Sequence, residues 1–355
     1  MLTRRNVLAV VPMGLGGRSV LQIDLSTPVD DSTLDSLGFD PGLAELIVAS
    51  LPDFPAVTGV CVLRHGRVAF EYYLNGYDVT TPVNIRSVTK SVTSTLVGIA
   101  LQRGDLPGID LTIGELIPDR IPADADPATA GITLRSFLTM TSGLWWDGHD
   151  DWSMLLASDD WVATTLTQPI VAPPGELFVY NTGGSHLIGV ALATVLGQPL
   201  EEFADEALFG PLGITPVGWM RSPQGEVNGG SGLEILPMDM ARLGQLMLQA
   251  GRWNGDVLLG DDYATIATTR QSDGEEITGG SIGVAYGFQW WVTNDTGYEA
   301  FFALGFGGQY VYVVPDLDLV VVVAAGFGEG EMPVLTSHRP IPERLVIPNL
   351  IHPDR

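Results

Sequence analysis

Ser87-Val88-Thr89-Lys90 sets a hydroxyl and an amine three residues apart. On a helix that spacing puts both side chains on one face, so the amine can reach the hydroxyl. A serine hydroxyl is a poor nucleophile at neutral pH and needs an adjacent base. A lysine amine serves once burial and neighbouring positive dipoles lower its proton affinity. A helix starting here also aims its positive end at any oxyanion that forms. The spacing by itself is common. What sharpens it is that Lys90 is the only lysine, since 16 of the 17 basic residues are arginine. A salt-adapted or GC-rich genome accounts for the scarcity but not for the exception. Arginine stays protonated and cannot act as a base.

The elements that must hold this pair follow from periodicity. Residues 57–63 and 67–74, apolar and β-branched, flank His65-Gly66 and predict a β-hairpin near the start of a sheet. Residues 87–102 carry Val88, Val92, Leu96 and Ile99 at helical spacing, and Arg103-Gly104 closes them as a helix stop. From 105 to about 232 the chain is rich in Pro, Gly and Asp, with helical pieces at 134–140, 184–196 and 200–208. A further helix is expected at 237–250, then strands at 286–292, 310–314 and 319–325. The pattern is that of an α+β protein. The expected organisation is a sheet domain from 23–103 plus 233–355, a mostly helical inserted domain at 104–232, and a separate N-terminal stretch, 1–22. It lacks the strand–helix alternation of a doubly wound fold.

A second run, Pro173-Pro174-Gly175-Glu176-Leu177-Phe178-Val179-Tyr180-Asn181-Thr182-Gly183-Gly184-Ser185-His186, leads into an apolar helix. Together with the Ser87–Lys90 pair it resembles the serine β-lactamase/penicillin-binding-protein superfamily, in its class C β-lactamase-like branch of esterases and peptidases. The stretch from Tyr180 to His186 is similar to the subgroup that contains 6-aminohexanoate-dimer hydrolases. Stretches at 138–144, 208–214, 238–251, 286–292 and 303–315 extend the resemblance over about 40 to 350, in order.

The resemblance implies an antiparallel sheet flanked by helices, with Ser87 as nucleophile, Lys90 as its base and Tyr180 sharing the proton traffic. It implies an oxyanion hole from the backbone N–H groups of Ser87 and Phe306, and neither cofactor nor metal. Substrate contacts would come from Trp145, Asn181, Thr182 and Gly305. Two departures matter. Thr182 stands where the family carries asparagine, with Asn181 one place earlier. Ala303-Leu304-Gly305 falls on the family's K-T-G or H-T-G element, so its cation is missing while its glycine is kept. In penicillin-recognising members that cation helps hold the ligand carboxylate. The expected substrate is therefore a small ester, amide or short peptide-like molecule, with β-lactamase, D-Ala-D-Ala peptidase and a noncatalytic binding relative as alternatives. Of the neighbouring aromatics, Trp146, Phe288, Trp290 and Trp291 are expected to pack in the core. His149 and His186 are not needed by the mechanism.

Composition excludes other classes. The 355 residues carry a formal net charge of −25, which is wrong for binding nucleic acid or anionic lipid. With 45% hydrophobic and 17% charged residues, the chain can bury a large core. One cysteine, Cys61, rules out an internal disulfide and a Cys-rich metal site. The acidic stretch 147–151 has no metal-ligand spacing and is expected to be a solvated loop. A Gly-x-Ser-x-Gly at 279–283, followed by Asp316 and His338, has the chain order of an α/β-hydrolase. Its flanks lack the strand–turn–helix context that such an elbow needs. No apolar run reaches 18 residues. Arg4-Arg5 before a short apolar stretch resembles a twin-arginine export signal, broken by Pro12 and glycines, so export and cytoplasmic residence both stay open. Oligomeric state is not legible.

Overall fold

The computed structural model describes residues 31–148, 150–274, 284–326 and 338–351. The signal-like segment 1–22, His149 and the Gly-x-Ser-x-Gly at 279–283 lie outside the described residues.

The centre is an eight-stranded antiparallel sheet. Its strands are β1 (Val57–Arg64), β2 (Arg67–Tyr73), β3 (Ser272–Asp273), β4 (Ala285–Tyr286), β5 (Trp291–Thr293), β6 (Ala300–Gly305), β7 (Gln309–Val314) and β8 (Leu319–Ala325). They run in the order β2-β1-β8-β7-β6-β5-β4-β3, so the first and last long strands of the chain pair side by side. The hairpin at His65-Gly66 is present, and both residues take the positive φ (52° and 69°) that a two-residue turn matched to strand twist requires.

Strands β1, β6, β7 and β8 are buried on both faces. They therefore lack the alternating polar positions of a half-exposed sheet. Alternate residues serve two layers. Cys61, Leu63, Val311, Val313, Val320 and Val322 join the cluster containing α1 (Val88–Arg103), α2 (Thr182–Leu196) and α3 (Pro237–Leu248). Val60, Val62, Tyr310, Tyr312, Val321 and Val323 face the layer formed by Leu43, Ile47, Ile341 and Val346. Helix α3 lies close on the sheet because Gly244 has no side chain; a Cβ there would sit 2.7 Å from Val311 and 2.8 Å from Val320.

The regular elements between α1 and α3 are mainly helices separated by long connections, and one continuous apolar cluster joins them to the sheet. One expectation needs correcting. Residues 286–292 do not form a single strand; they divide into β4 and β5, joined by a tight turn. Gln289 sits at φ 62° in that turn, and Gly287 packs so closely that a Cβ would lie 2.1 Å from the Ala267 carbonyl oxygen. An apolar run of this length carries no period that marks such a turn.

Candidate active site

Helix α1 begins one residue after Ser87, which takes helical φ and ψ (−71°, −7°) yet makes no capping bond with its side chain. The hydroxyl is thus left available at the positive end of the helix. The entry is a sharp turn, with Arg86 at φ 52°, a left-handed conformation that costs a non-glycine residue about 1 kcal/mol or more. Several bonds hold it there. The Arg86 N–H donates to Asn84 Oδ1 at 3.1 Å, and Thr89 Oγ1 donates to the Arg86 carbonyl at 2.6 Å. A three-stranded sheet, Val83–Asn84, Leu233–Ile235 and Gly218–Trp219, anchors the approach; the Leu233 carbonyl takes the Ile85 N–H at 2.9 Å.

Lys90 is 1% exposed. Its Nζ donates to Ser87 Oγ at 3.0 Å, Thr182 Oγ1 at 3.1 Å and the Gly230 carbonyl at 2.8 Å. Three neutral oxygens thus match the three N–H bonds of an ammonium, and among the described residues no carboxylate balances the charge. Burial alone pushes the Lys90 amine down to about 7, so near neutral pH it exchanges between proton donor and acceptor. Ser87 keeps a partly exposed surface, so the pair has a buried side and an open side.

The Tyr180 ring lies 5.0 Å from Lys90 Nζ and is stacked against Trp291 at 5.5 Å. Burial pushes its phenol up to about 12, partly offset by a hydrogen bond with Ser87. Tyr180 is therefore a protonated donor at neutral pH.

The structure brings Ser87, Lys90, Tyr180 and Thr182 together. The Thr182 hydroxyl provides the contact to Lys90 that the missing third-position asparagine put in question. Asn181 behaves differently from expectation: it is buried and caps α2, its Oδ1 accepting from the Gly184 N–H at 2.8 Å, so its side chain carbonyl is committed to the helix. Gly305 packs on the chain itself, since a Cβ there would lie 2.4 Å from the Ile85 carbonyl oxygen. That contact sets the end of β6, and Phe306 after it, against the segment leading into Ser87. Phe306 is 42% exposed. Trp145 is 47% exposed, on a stretch bonded to the Pro169 carbonyl, while Trp146 packs against Gly183 beside Thr182. Phe288, Trp290 and Trp291 are core residues. His338 is buried and its Nδ1 lies 3.0 Å from the Gly308 carbonyl, bracing the β6–β7 hairpin. Among the described residues no His, Cys, Asp or Glu cluster is placed to hold a metal ion.

A profile of the β-lactamase family matches residues 47–334. The chain belongs to this family. Its members are serine hydrolases. A protein of Bacillus subtilis (strain 168) described as the penicillin-binding protein PbpX is 30% identical over 95 residues, 27% of this chain and 24% of that protein. The chain thus matches about a quarter of that relative's length. Among solved structures, a protein from Bacillus anthracis described as a 6-aminohexanoate-dimer hydrolase aligns with a TM-score of 0.66 at 23% identity, covering 78% of this chain and 76% of that one. EstCE1, a hydrolase with promiscuous acyltransferase activity, aligns with a TM-score of 0.69 at 18% identity, over 89% and 98%. At these identities the two structures speak for the β-lactamase-like fold.

Sequence reasoning overlooked the residues that complete this family site from a distance. Gly230 supplies the third acceptor for Lys90, yet only its carbonyl takes part, which no side-chain pattern advertises. Gln289 is a buried hub: its side chain accepts from Ser185 Oγ at 2.8 Å and donates to the Phe137 and Leu138 carbonyls, while its own carbonyl takes the Ser91 hydroxyl at 2.6 Å. It ties α1, α2 and the 134–138 helix into one frame.

Proposed function

We propose that this protein hydrolyses a small carboxylic ester or amide through an acyl-enzyme on Ser87, with Lys90 and Tyr180 moving the protons. The observation that carries this reading is the 3.0 Å contact between a buried amine held near neutral affinity and a partly exposed serine hydroxyl. The neutral Lys90 takes the Ser87 proton as Oγ attacks the carbonyl carbon. The resulting oxyanion is received by the backbone N–H groups of Ser87 and Phe306 at the positive end of α1. Tyr180, still a phenol, donates its proton to the departing alkoxide or amine and recovers one from the Lys90 ammonium. Water then attacks the acyl-enzyme, passing a proton through Tyr180 to the neutral Lys90, whose ammonium returns one to Ser87 Oγ as the acid departs.

Support for an ester or amide over a β-lactam comes from Ala303. It is buried within β6 opposite Val311, so no cation projects at the position where penicillin-recognising members hold a carboxylate. The two structural relatives, described as a 6-aminohexanoate-dimer hydrolase and as a hydrolase with promiscuous acyltransferase activity, are compatible with that choice.

The test is a fluorophosphonate probe with mapping of the modified residue, beside turnover of p-nitrophenyl butyrate and nitrocefin. Labelling is expected on Ser87, with the ester turned over far faster than the β-lactam. Labelling or turnover that survives Ser87→Ala overturns the assignment, and nitrocefin turnover rivalling the ester overturns the substrate class.

A further inference from the structure

Residues 228–230 form a short buried segment wedged between the first turns of α1 and α2. Its two glycines are required by that fit. A Cβ on Gly229 would lie 2.6 Å from the Ser185 carbonyl oxygen, and one on Gly230 would lie 2.7 Å from that of Thr182. The segment is clipped to α1 one turn apart, by Thr93 Oγ1 donating to the Gly229 carbonyl and Lys90 Nζ donating to the Gly230 carbonyl, both at 2.8 Å. Asn228, fully buried, fixes the peptide that leads into Gly230: its Oδ1 accepts the Gly230 N–H at 2.8 Å, so the Gly230 carbonyl, one peptide further on, starts from a held position. Asn228 is itself fixed at its backbone: its carbonyl takes the Trp219 indole N–H at 2.7 Å, and its N–H donates to Met220 at 2.7 Å.

The chemistry of the three Lys90 partners gives this clamp a consequence. A neutral amine has two N–H bonds and one lone pair. A carbonyl oxygen only accepts, whereas the Ser87 and Thr182 hydroxyls can donate or accept. The Gly230 carbonyl therefore always claims an N–H and never faces the lone pair. With the second N–H on Thr182, the lone pair points at Ser87.

We propose that Asn228 is a positioning residue for the amine of Lys90, holding the Gly230 carbonyl where it steers the lysine lone pair onto Ser87. This rests on Lys90 acting as the base. The neighbouring titratable group is the Tyr180 phenol, and among the described residues no charged side chain contributes to the displacement of the Lys90 affinity.

The single lysine allows a direct test, because protein labelled with 15Nζ-lysine gives one side-chain amine signal that titrates with Lys90. Asn228→Ala is expected to lower kcat for p-nitrophenyl butyrate about tenfold with KM changed less than about twofold, the scale of a misplaced proton-transfer group. It should also move the Lys90 titration downward by about half a unit, since the ammonium loses its fixed acceptor. Asn228→Asp presents an oxygen at the same place; it should restore kcat above the acid limb to within about threefold, with the limb moved upward by the added charge. A merely structural residue would lower the melting temperature and leave the titration and kcat of the folded protein unchanged, and that result overturns the proposal. If Asn228→Ala does not fold, Asn228→Leu keeps the volume and removes the acceptor of the Gly230 N–H, and an unchanged titration there overturns the proposal equally. The nuclear resonance measurement needs no turnover, so a mistaken reaction and a mistaken role for Asn228 give different results.

Discussion

Lys90 on α1 and His186 on α2 are both buried titratable groups, and burial weakens the proton affinity of each. The lysine falls from an ordinary value of 10.5 to about 7. The histidine starts at 6.5 and is pushed down to about 4 by burial, with Glu226 pulling it upward and Arg120 pushing it further down. Burial thus brings the amine to an affinity that suits the base role proposed for it at neutral pH, and takes the imidazole out of that range. The surroundings differ as well. Lys90 has three oxygen partners and a path to open solvent through Ser87. His186 packs edge-on against Trp161 at 5.4 Å, and its nearest carboxylate oxygen, on Glu226, is 3.9 Å away, too far to bond. On the proposed reading, what suits Lys90 rather than His186 to be the base is the starting affinity together with access.

That contrast can be broken at several points. Lys90→Arg keeps the charge but removes the exchangeable proton, and is expected to cost about a thousandfold or more in kcat/KM toward p-nitrophenyl butyrate. Activity within tenfold of wild type would remove Lys90 from the chemistry. Tyr180→Phe should lower kcat about a hundredfold, with Ser87 still labelled slowly by the fluorophosphonate. Thr182→Val takes one acceptor from the ammonium. A fall in kcat of about tenfold is expected, with the acid limb of the pH profile, near 7 in the parent, displaced downward. The direction follows because activity rises as Lys90 loses its proton, and a less stabilised ammonium loses it sooner.

His186→Phe marks the other side of the comparison and should leave kcat/KM within about twofold. Its signature lies in stability. Unfolded His186 takes up a proton below about 6.5 and the folded one only near 4, so the parent loses stability as pH falls through that window. The variant should lose less, which urea midpoints at pH 7 and 4.5 would reveal. An equal loss in both proteins would show that the imidazole is not held neutral.

The parts of the molecule most legible beforehand were those written in local code. The 57–73 hairpin has its turn residues between two apolar runs, and α1 has its period, its last-turn arginine and its closing glycine. Lys90 stood out by composition. The cap that Asn181 makes on α2 also had a local signal, an asparagine directly before a helical run, which the family resemblance passed over in favour of ligand contacts. Gln289, Asn228 and Gly230 were invisible for a different reason. Their partners lie more than a hundred residues away or on the main chain, and neither leaves a period or a spacing to read.

The pairing of β1 with β8 also bears on how the chain is made. Arg64 faces Leu319 in that register, so about 250 residues must be synthesised after β1 before its partner leaves the ribosome, roughly 10 to 50 s at ordinary rates of translation. Throughout that interval β1 and β2 can form only a hairpin, with one edge of β1 unpaired and both of its faces apolar. Such a strand is a template for pairing with other chains. The last strand to emerge is the one that closes the centre of the sheet, which makes the newly made chain, rather than the finished enzyme, the species most exposed to aggregation and most dependent on chaperones.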